Sequence, residues 1–180
     1  MNRTSQILDV AERRMRESGY HAVSYRDIAD EMGIKSASLH YHFRKKSDLG
    51  EALVRRYTER FFARLAEATD TGASANAQLE AFIDLYRLAL GDEYRVCLCV
   101  MLGSESPGLP DPVIDNVGVF FDRSVAWLER TLGQTGSDDP HAGACAILAK
   151  LQGAMILSSV WQNDTAFDAV RRDILETDPA

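Results

Sequence analysis

Residues 24–49 read Ser24-Tyr-Arg-Asp-Ile-Ala-Asp-Glu-Met-Gly-Ile-Lys-Ser-Ala-Ser-Leu-His-Tyr-His-Phe-Arg-Lys-Lys-Ser-Asp-Leu49. Two short helical runs lie on either side of one glycine. The first spans about Tyr25 to Met32. Ser24 stands at its N-cap and Asp27 three residues on, a capping box with Asp in place of the usual Glu. Gly33 follows, where a residue without a Cβ takes positive φ at little cost. Ser36–Tyr41 reads as the next helix. Two short helices around such a turn describe a helix-turn-helix.

Toward the N-terminus, Ile7, Leu8, Ala11 and Met15 recur at helical spacing between Thr4 and Ser18, and Gly19 stops the run. Toward the C-terminus, Lys46 and Asp48 open a long helix that continues through Leu49, Leu53, Tyr57, Phe61 and Leu65 to about Ala68, a connecting rod between head and body. Thr69–Ala75 reads as a loop. The remainder carries no β signature. Helices are predicted through Leu79, Phe82, Ile83, Tyr86 and Leu90, closed near Gly91; over Arg95–Glu105, where a buried strand is the alternative; and through Val113, Val117, Phe120, Phe121, Val125 and Leu128. A polar loop, Gly133–Pro140, precedes Ala144–Trp161 and Ala166–Leu175. The fold class is therefore all-α. A three-helix helix-turn-helix domain occupies residues 1–46 and a larger helical domain residues 47–180.

Ala144–Trp161 has apolar residues on more than one face, with Gly153 and Ala154 permitting close approach of a neighbour. Two readings follow. The last two helices complete the core of one chain, or they meet their symmetry mates in a four-helix interface. The second is preferred, because a helix-turn-helix protein usually needs two heads.

Bulk properties fit this organisation. The 180 residues are 46% hydrophobic and 26% charged, as in ordinary globular proteins. The net charge of −7 is unevenly placed: residues 1–60 carry 12 Lys/Arg against 9 Asp/Glu, and residues 61–180 carry 8 against 18. A mildly basic head on an acidic body suits a protein that presents one end to phosphate. Neither Cys97–Leu102 nor Ala144–Leu157 reads as a membrane span, and Met1–Gln6 lacks the apolar core of a secretory signal, so a cytoplasmic protein is expected. Cys97, Cys99 and Cys145 do not form a disulfide framework, and Cys97-Leu-Cys99 is a poor metal pair without further ligands nearby. No metal and no cofactor is expected.

The segment from Ser24 to Leu49 resembles the DNA-binding region of the TetR family of repressors through Ile28-Ala29, Gly33-Ile34, Ser38-Leu39, Tyr41-His42-Phe43, Lys46 and Leu49. The resemblance is strongest over residues 4–65. It implies a homodimer whose first three helices bind a palindromic double-stranded DNA operator, and a C-terminal domain that binds a small molecule and dimerises. Ala37 stands where the family often has glycine, and His40 where it commonly has a phosphate-reaching tyrosine. Val96-Cys97-Leu98-Cys99 through Glu105 is similar to a segment of the branch that includes the N-ethylmaleimide repressor, with Val96 replacing a glycine. In that branch the cysteine matching Cys97 senses electrophiles.

For the DNA end, Ile7, Leu8, Ala11, Ile28, Ala29, Met32, Ile34, Leu39 and Phe43 form a small core that sets the helix angles. The Ser36–Tyr41 helix is expected to enter the major groove N-terminus first. Lys35, Ser36, Ser38 and His40 have the reach for base edges or phosphates, although Lys35 or Ser36 has the alternative of capping or solubilising the helix. Tyr41 is a DNA-facing aromatic by family match, whereas His42 and Phe43 mainly pack. Ser24, Tyr25 and Arg26 sit at a helix start that favours phosphate. Lys46 is the leading single phosphate contact.

In the body, Phe61, Phe82, Tyr86, Met101, Phe120, Phe121 and Met155 are the candidate lining of an effector site, for a mostly apolar or aromatic molecule. Effector binding that moves the connecting rod would change the separation of the heads. Cys97 and Cys99 are candidate thiol sensors if accessible, and small buried hydrophobes if not. The alternatives are an electrophile- or redox-responsive repressor acting through Cys97, and a TetR-like activator. An enzyme is not expected. His141 and Cys145 stand one helical turn apart, but no third group in the sequence orients the histidine.

Overall fold

A computed structural model describes residues 2–69 and 72–176, and the regular elements among them are all helical. Helix α1 runs over Arg3–Ala22, α2 over Tyr25–Met32, α3 over Ser36–His42 and α4 over Lys46–Ala68. Next come α5 (Ala75–Leu90), α6 (Leu98–Ser104), a 3-10 turn at Ser106–Gly108, α7 (Asp111–Leu132), α8 (Pro140–Trp161) and α9 (Thr165–Glu176). The all-α prediction holds, and α2 and α4 have their predicted spans.

Among the boundaries that differ, two have clear local reasons. Helix α8 begins at Pro140, inside the predicted loop. The Asp139 side chain caps it, accepting the Ala142 N–H at 2.9 Å, and proline is well suited to the first helical position. Helix α6 is shorter than Arg95–Glu105. The chain leaves α5 through Gly91 and Tyr94, both at positive φ, and turns helical again only at Leu98. The strand alternative for this segment is not realised.

The chain forms two compact units. One holds the residues up to Glu59 together with Leu98–Val119; the other holds Arg60–Cys97 and the residues from Phe120 onward. Helices α4 and α7 contribute to both.

In the first unit, Ile7, Ala11, Met15, Ile28, Leu39, Leu49 and Leu53 are wholly excluded from solvent. Each of the Ile, Leu and Met side chains contributes about 1.5–3 kcal/mol of burial free energy, before the entropy of ordering the chain is subtracted. Arg56 of α4 reaches Asp9 at 2.9 Å and Glu12 at 3.2 Å on α1, and it also donates to the Ser5 carbonyl. One guanidinium thus fixes the long helix against the first.

The second unit packs α8 against α9, and α5 against both. Lys150 and Asp173 pair at 2.7 Å between α8 and α9, and Arg87 of α5 binds Asp164 at 2.9 Å. Helix α8 is long and apolar enough, by length and composition, to cross a membrane. A core helix meets the same criterion, and α8 buries Ala144, Leu148, Leu151, Ala154, Met155 and Ser158 within the unit. Its other side is also apolar and is not covered: Ile156, Leu157, Val160 and Trp161 are exposed.

Candidate nucleic-acid interface

The helix-turn-helix is locked by short-range chemistry. The Ser24 N–H donates to Asp27 Oδ2 at 2.7 Å, and the Asp27 N–H donates to Ser24 Oγ at 3.2 Å, closing the capping box. These bonds from Ser24 hold the Asp27 carboxyl below the usual carboxylate range. Gly33 ends α2 at φ 63°, ψ 34°, the left-handed conformation that its position required. At the far end of α2, Glu31 is gripped by Arg13 and by Arg14, the latter at 2.7 Å. Arg13 is the main cause of its lowered carboxyl pKa. The acidic end of α2 therefore has its charge matched by α1.

Helix α3 is anchored by Leu39, which is completely buried, and by Phe43 just beyond its C-terminus. Lys35 is exposed at the N-cap position and its side chain makes no capping bond. Ser36 and Ser38 are half-buried, and His40 is exposed. Tyr41 is 86% exposed, an unusual position for a large aromatic ring in so small a folded head. His42 faces α1, with Nδ1 3.1 Å from the Thr4 hydroxyl, which fits the packing role predicted for it and for Phe43.

Of the three candidates at the start of α2, two are exposed and one is buried. Ser24 and Arg26 are exposed at the start of α2, Arg26 with only a loose 3.7 Å pairing to Asp30. Tyr25 is buried. Its hydroxyl proton lies between the carbonyls of Phe43, at 2.9 Å, and Lys45, at 2.6 Å, and its ring meets that of His40 edge-on at 4.7 Å. Burial pushes this hydroxyl up to about 12. Tyr25 therefore ties the turn after α3 to α2, which positions α3 without offering a donor outward.

Lys46 is also partly engaged. Its ammonium lies 4.3 Å above the Tyr20 ring and 3.4 Å from the His21 carbonyl. Burial lowers its pKa, partly offset by the charges of Glu105 and Asp27. The exposed cations nearest it in sequence are Arg44 and Lys45, neither of which is among the residues predicted to contact DNA. Their signal was the basic run Arg44-Lys45-Lys46 itself.

In the second unit, Phe61, Phe82, Tyr86 and Phe120 come together as one aromatic cluster. The Phe61 ring meets the other three edge-on at 5.7, 5.6 and 5.2 Å. Phe82 stacks on Trp127 at 5.2 Å, and Phe121 touches Phe120 from a half-buried position. Met155 is wholly buried on α8, while Met101 belongs to the first unit and is half-buried. Cys97 and Cys99 are 1% and 0% exposed; the exposed thiol is Cys145.

Comparison with known proteins is consistent with this geometry. The family described as bacterial regulatory proteins, tetR family, matches residues 7–53, which span α1 to α3 and the start of α4. A TetR transcriptional regulator from Legionella pneumophila superposes with a TM-score of 0.93 at 31% identity, over 98% of this chain and 97% of that one. Reduced E. coli NemR has a TM-score of 0.86 at 16% identity over 98% of both chains, a likeness of fold alone. The transcriptional repressor KstR2 of Rhodococcus jostii is 35% identical over 81 residues, 45% of this chain and 40% of that protein. The match thus spans less than half the length of this curated relative.

Proposed function

Because the chain belongs to the TetR family, we propose that it is a homodimeric, sequence-specific transcriptional repressor, released from a palindromic operator by a small-molecule effector. The observation that carries this reading is α3. Leu39 fixes the helix from beneath while Tyr41, His40 and Lys35 remain exposed, with Arg44 and Lys45 just beyond its end. Polar and basic groups outside an anchored helix suit base-edge and phosphate contacts.

Lys35, Ser36, Ser38 and His40 are assigned to bases or adjacent phosphates, and Ser24, Arg26, Tyr41 and Lys46 to the backbone. Tyr25 supports them from behind. Residues 1–46 are assigned to DNA and residues 47–180 to effector binding and dimerisation. The dimer forms through α8 and α9, and the exposed Ile156, Leu157, Val160 and Trp161 of α8 give it an apolar contact. Two heads then face grooves roughly 34–36 Å apart or a multiple of that spacing.

The effector is assigned to the region of Phe61, Phe82, Tyr86, Phe120, Phe121 and Met155, with Met101 a further candidate, and its class is apolar or aromatic. Reversible binding is favoured over sensing at Cys97, because a thiol 1% exposed has little access to a reagent.

The deciding experiment is selection of genomic DNA fragments by the purified protein, followed by mapping of the protected sequences. Recovery of one roughly palindromic site supports the assignment. Retention of DNA without sequence preference, at physiological salt, overturns it.

A further inference from the structure

Near the start of α8, Cys145 Sγ lies 3.8 Å from His141 Nε2, and His141 Nδ1 lies 3.2 Å from Glu129 Oε2 at the end of α7. All three residues belong to the second compact unit, and all three are exposed. From this geometry we propose that Cys145, His141 and Glu129 form a covalent modification site for soft electrophiles of the α,β-unsaturated carbonyl class. This inference stands independently of DNA binding.

The arrangement assigns each group a task. A carboxylate 3.2 Å from Nδ1 selects the tautomer that carries its proton there, and that leaves the Nε2 lone pair toward the thiol. His141 is four residues before Cys145, so helical spacing alone brings the imidazole over the sulfur. Glu129 supplies what the sequence spacing lacked, a third group that orients the base. It comes from another helix, which is why no local pattern revealed it.

The chemistry is a conjugate addition. The Cys145 proton moves to His141 Nε2, and a sulfur lone pair forms a bond to the β-carbon of the electrophile. The carbon–carbon π pair moves toward the carbonyl, giving an enolate. The imidazolium then returns the proton to the α-carbon. The net change is addition of S–H across the double bond. No atom leaves and no oxidant is needed. The reaction is stoichiometric, so the protein ends as the adduct.

Position along α8 gives the adduct a structural consequence. Ile156 lies eleven residues beyond Cys145, three turns along nearly the same line of the helix. Cys145 therefore shares a face of α8 with Ile156 but lies about 16 Å before it along the axis. A group attached there would mark that face of the helix near its N-terminus, three turns from the apolar patch.

The test uses the full-length folded protein with N-ethylmaleimide in limiting amount, read by peptide mass spectrometry over time. The expected result is labelling at Cys145 first, with Cys97 and Cys99 labelled only after denaturant is added. His141→Gln is expected to slow Cys145 labelling at least about tenfold, and added free imidazole to restore part of the rate to His141→Ala. Glu129→Gln, which keeps a hydrogen-bond acceptor but removes the charge, is expected to slow it less. Circular dichroism and thermal melting establish that each variant is folded. Labelling of Cys97 or Cys99 ahead of Cys145, failure of Cys145 to label in the native protein, or unchanged rates in folded His141→Gln would each overturn the proposal.

Discussion

The carboxylate of Glu105 accepts the backbone N–H of Tyr20 at 2.7 Å, at the point where α1 breaks. The break is made by Gly19, at φ 83° and ψ 172°, a conformation almost confined to glycine. The two features depend on each other. A Cβ on Gly19 would stand 2.2 Å from Glu105 Oε1, so the carboxylate reaches Tyr20 only because that side chain is missing. The segment containing Cys99 and Met101 is thereby tied to the helix that carries Tyr20, over whose ring Lys46 lies.

Glu105→Ala is expected to lower the stability of the first unit by about 1–2 kcal/mol, because it leaves the Tyr20 N–H without its acceptor. Glu105→Gln retains an acceptor and should lose less. Gly19→Ala should be the most damaging of the three, since backbone strain is added to the collision. Urea unfolding followed by circular dichroism ranks them. Equal stability of Gly19→Ala and the parent protein would contradict the coupling.

Tyr25 gives a pH-dependent prediction. Its hydroxyl pKa is raised in the folded protein to about 12, from an ordinary value of about 10. The neutral phenol is therefore favoured by folding. Its stabilising contribution is complete below the unfolded pKa and is lost as pH rises through the folded one. Between about pH 10 and 12 the parent should lose stability that Tyr25→Phe does not lose. At neutral pH Tyr25→Phe should cost about 1–2 kcal/mol, for the lost bond to the Phe43 and Lys45 carbonyls. Parallel stability-against-pH curves for the two proteins would rule out this role.

How much of this was legible in the sequence follows from range. The capping box at Ser24 and Asp27, the αL turn at Gly33 and the break at Gly19 are set by residues within a few positions of each other, and each is where the pattern put it. The long α4 was evident from apolar spacing alone. What escaped was set by residues far apart in the chain. Nothing near Tyr25 shows that its hydroxyl lies under Phe43 and Lys45, eighteen and twenty residues on. Glu105 is 85 residues from Tyr20, and Glu129 meets His141 across two helices. Burial of Cys97 and Cys99 was likewise undecided by a local pattern that fitted both a sensor and a small core residue.

On the proposed DNA face, Tyr41 and Lys46 should separate binding from folding. Tyr41 is exposed and Leu39 holds the helix, so Tyr41→Ala is expected to change stability by less than about 0.5 kcal/mol while weakening operator binding. Lys46→Ala should weaken binding to specific and nonspecific DNA alike and reduce the salt-dependence slope by about one unit. It should also lower stability slightly, through the lost contact with the Tyr20 ring. Fluorescence anisotropy across a salt series measures both slopes. An unchanged slope for Lys46→Ala would leave phosphate contact to Arg44 and Lys45.

The uncovered side of α8 makes the last prediction. Val160 is 73% exposed and Ile156 48%, four residues apart on one line of the helix, so an aspartate at either position meets no buried neighbour within the monomer. Val160→Asp should therefore fold with little change in stability when the protein is dilute. In a homodimer packed through this face the same carboxylate would be desolvated opposite its symmetry copy. That repulsion should convert a dimer to a monomer in sedimentation equilibrium, and operator affinity should fall because each molecule then engages only one half-site instead of two. Lys150→Ala, which removes only the exposed pair with Asp173, is the control and should leave the dimer intact. A Val160→Asp protein that still sediments as a dimer would move the interface away from this side of α8.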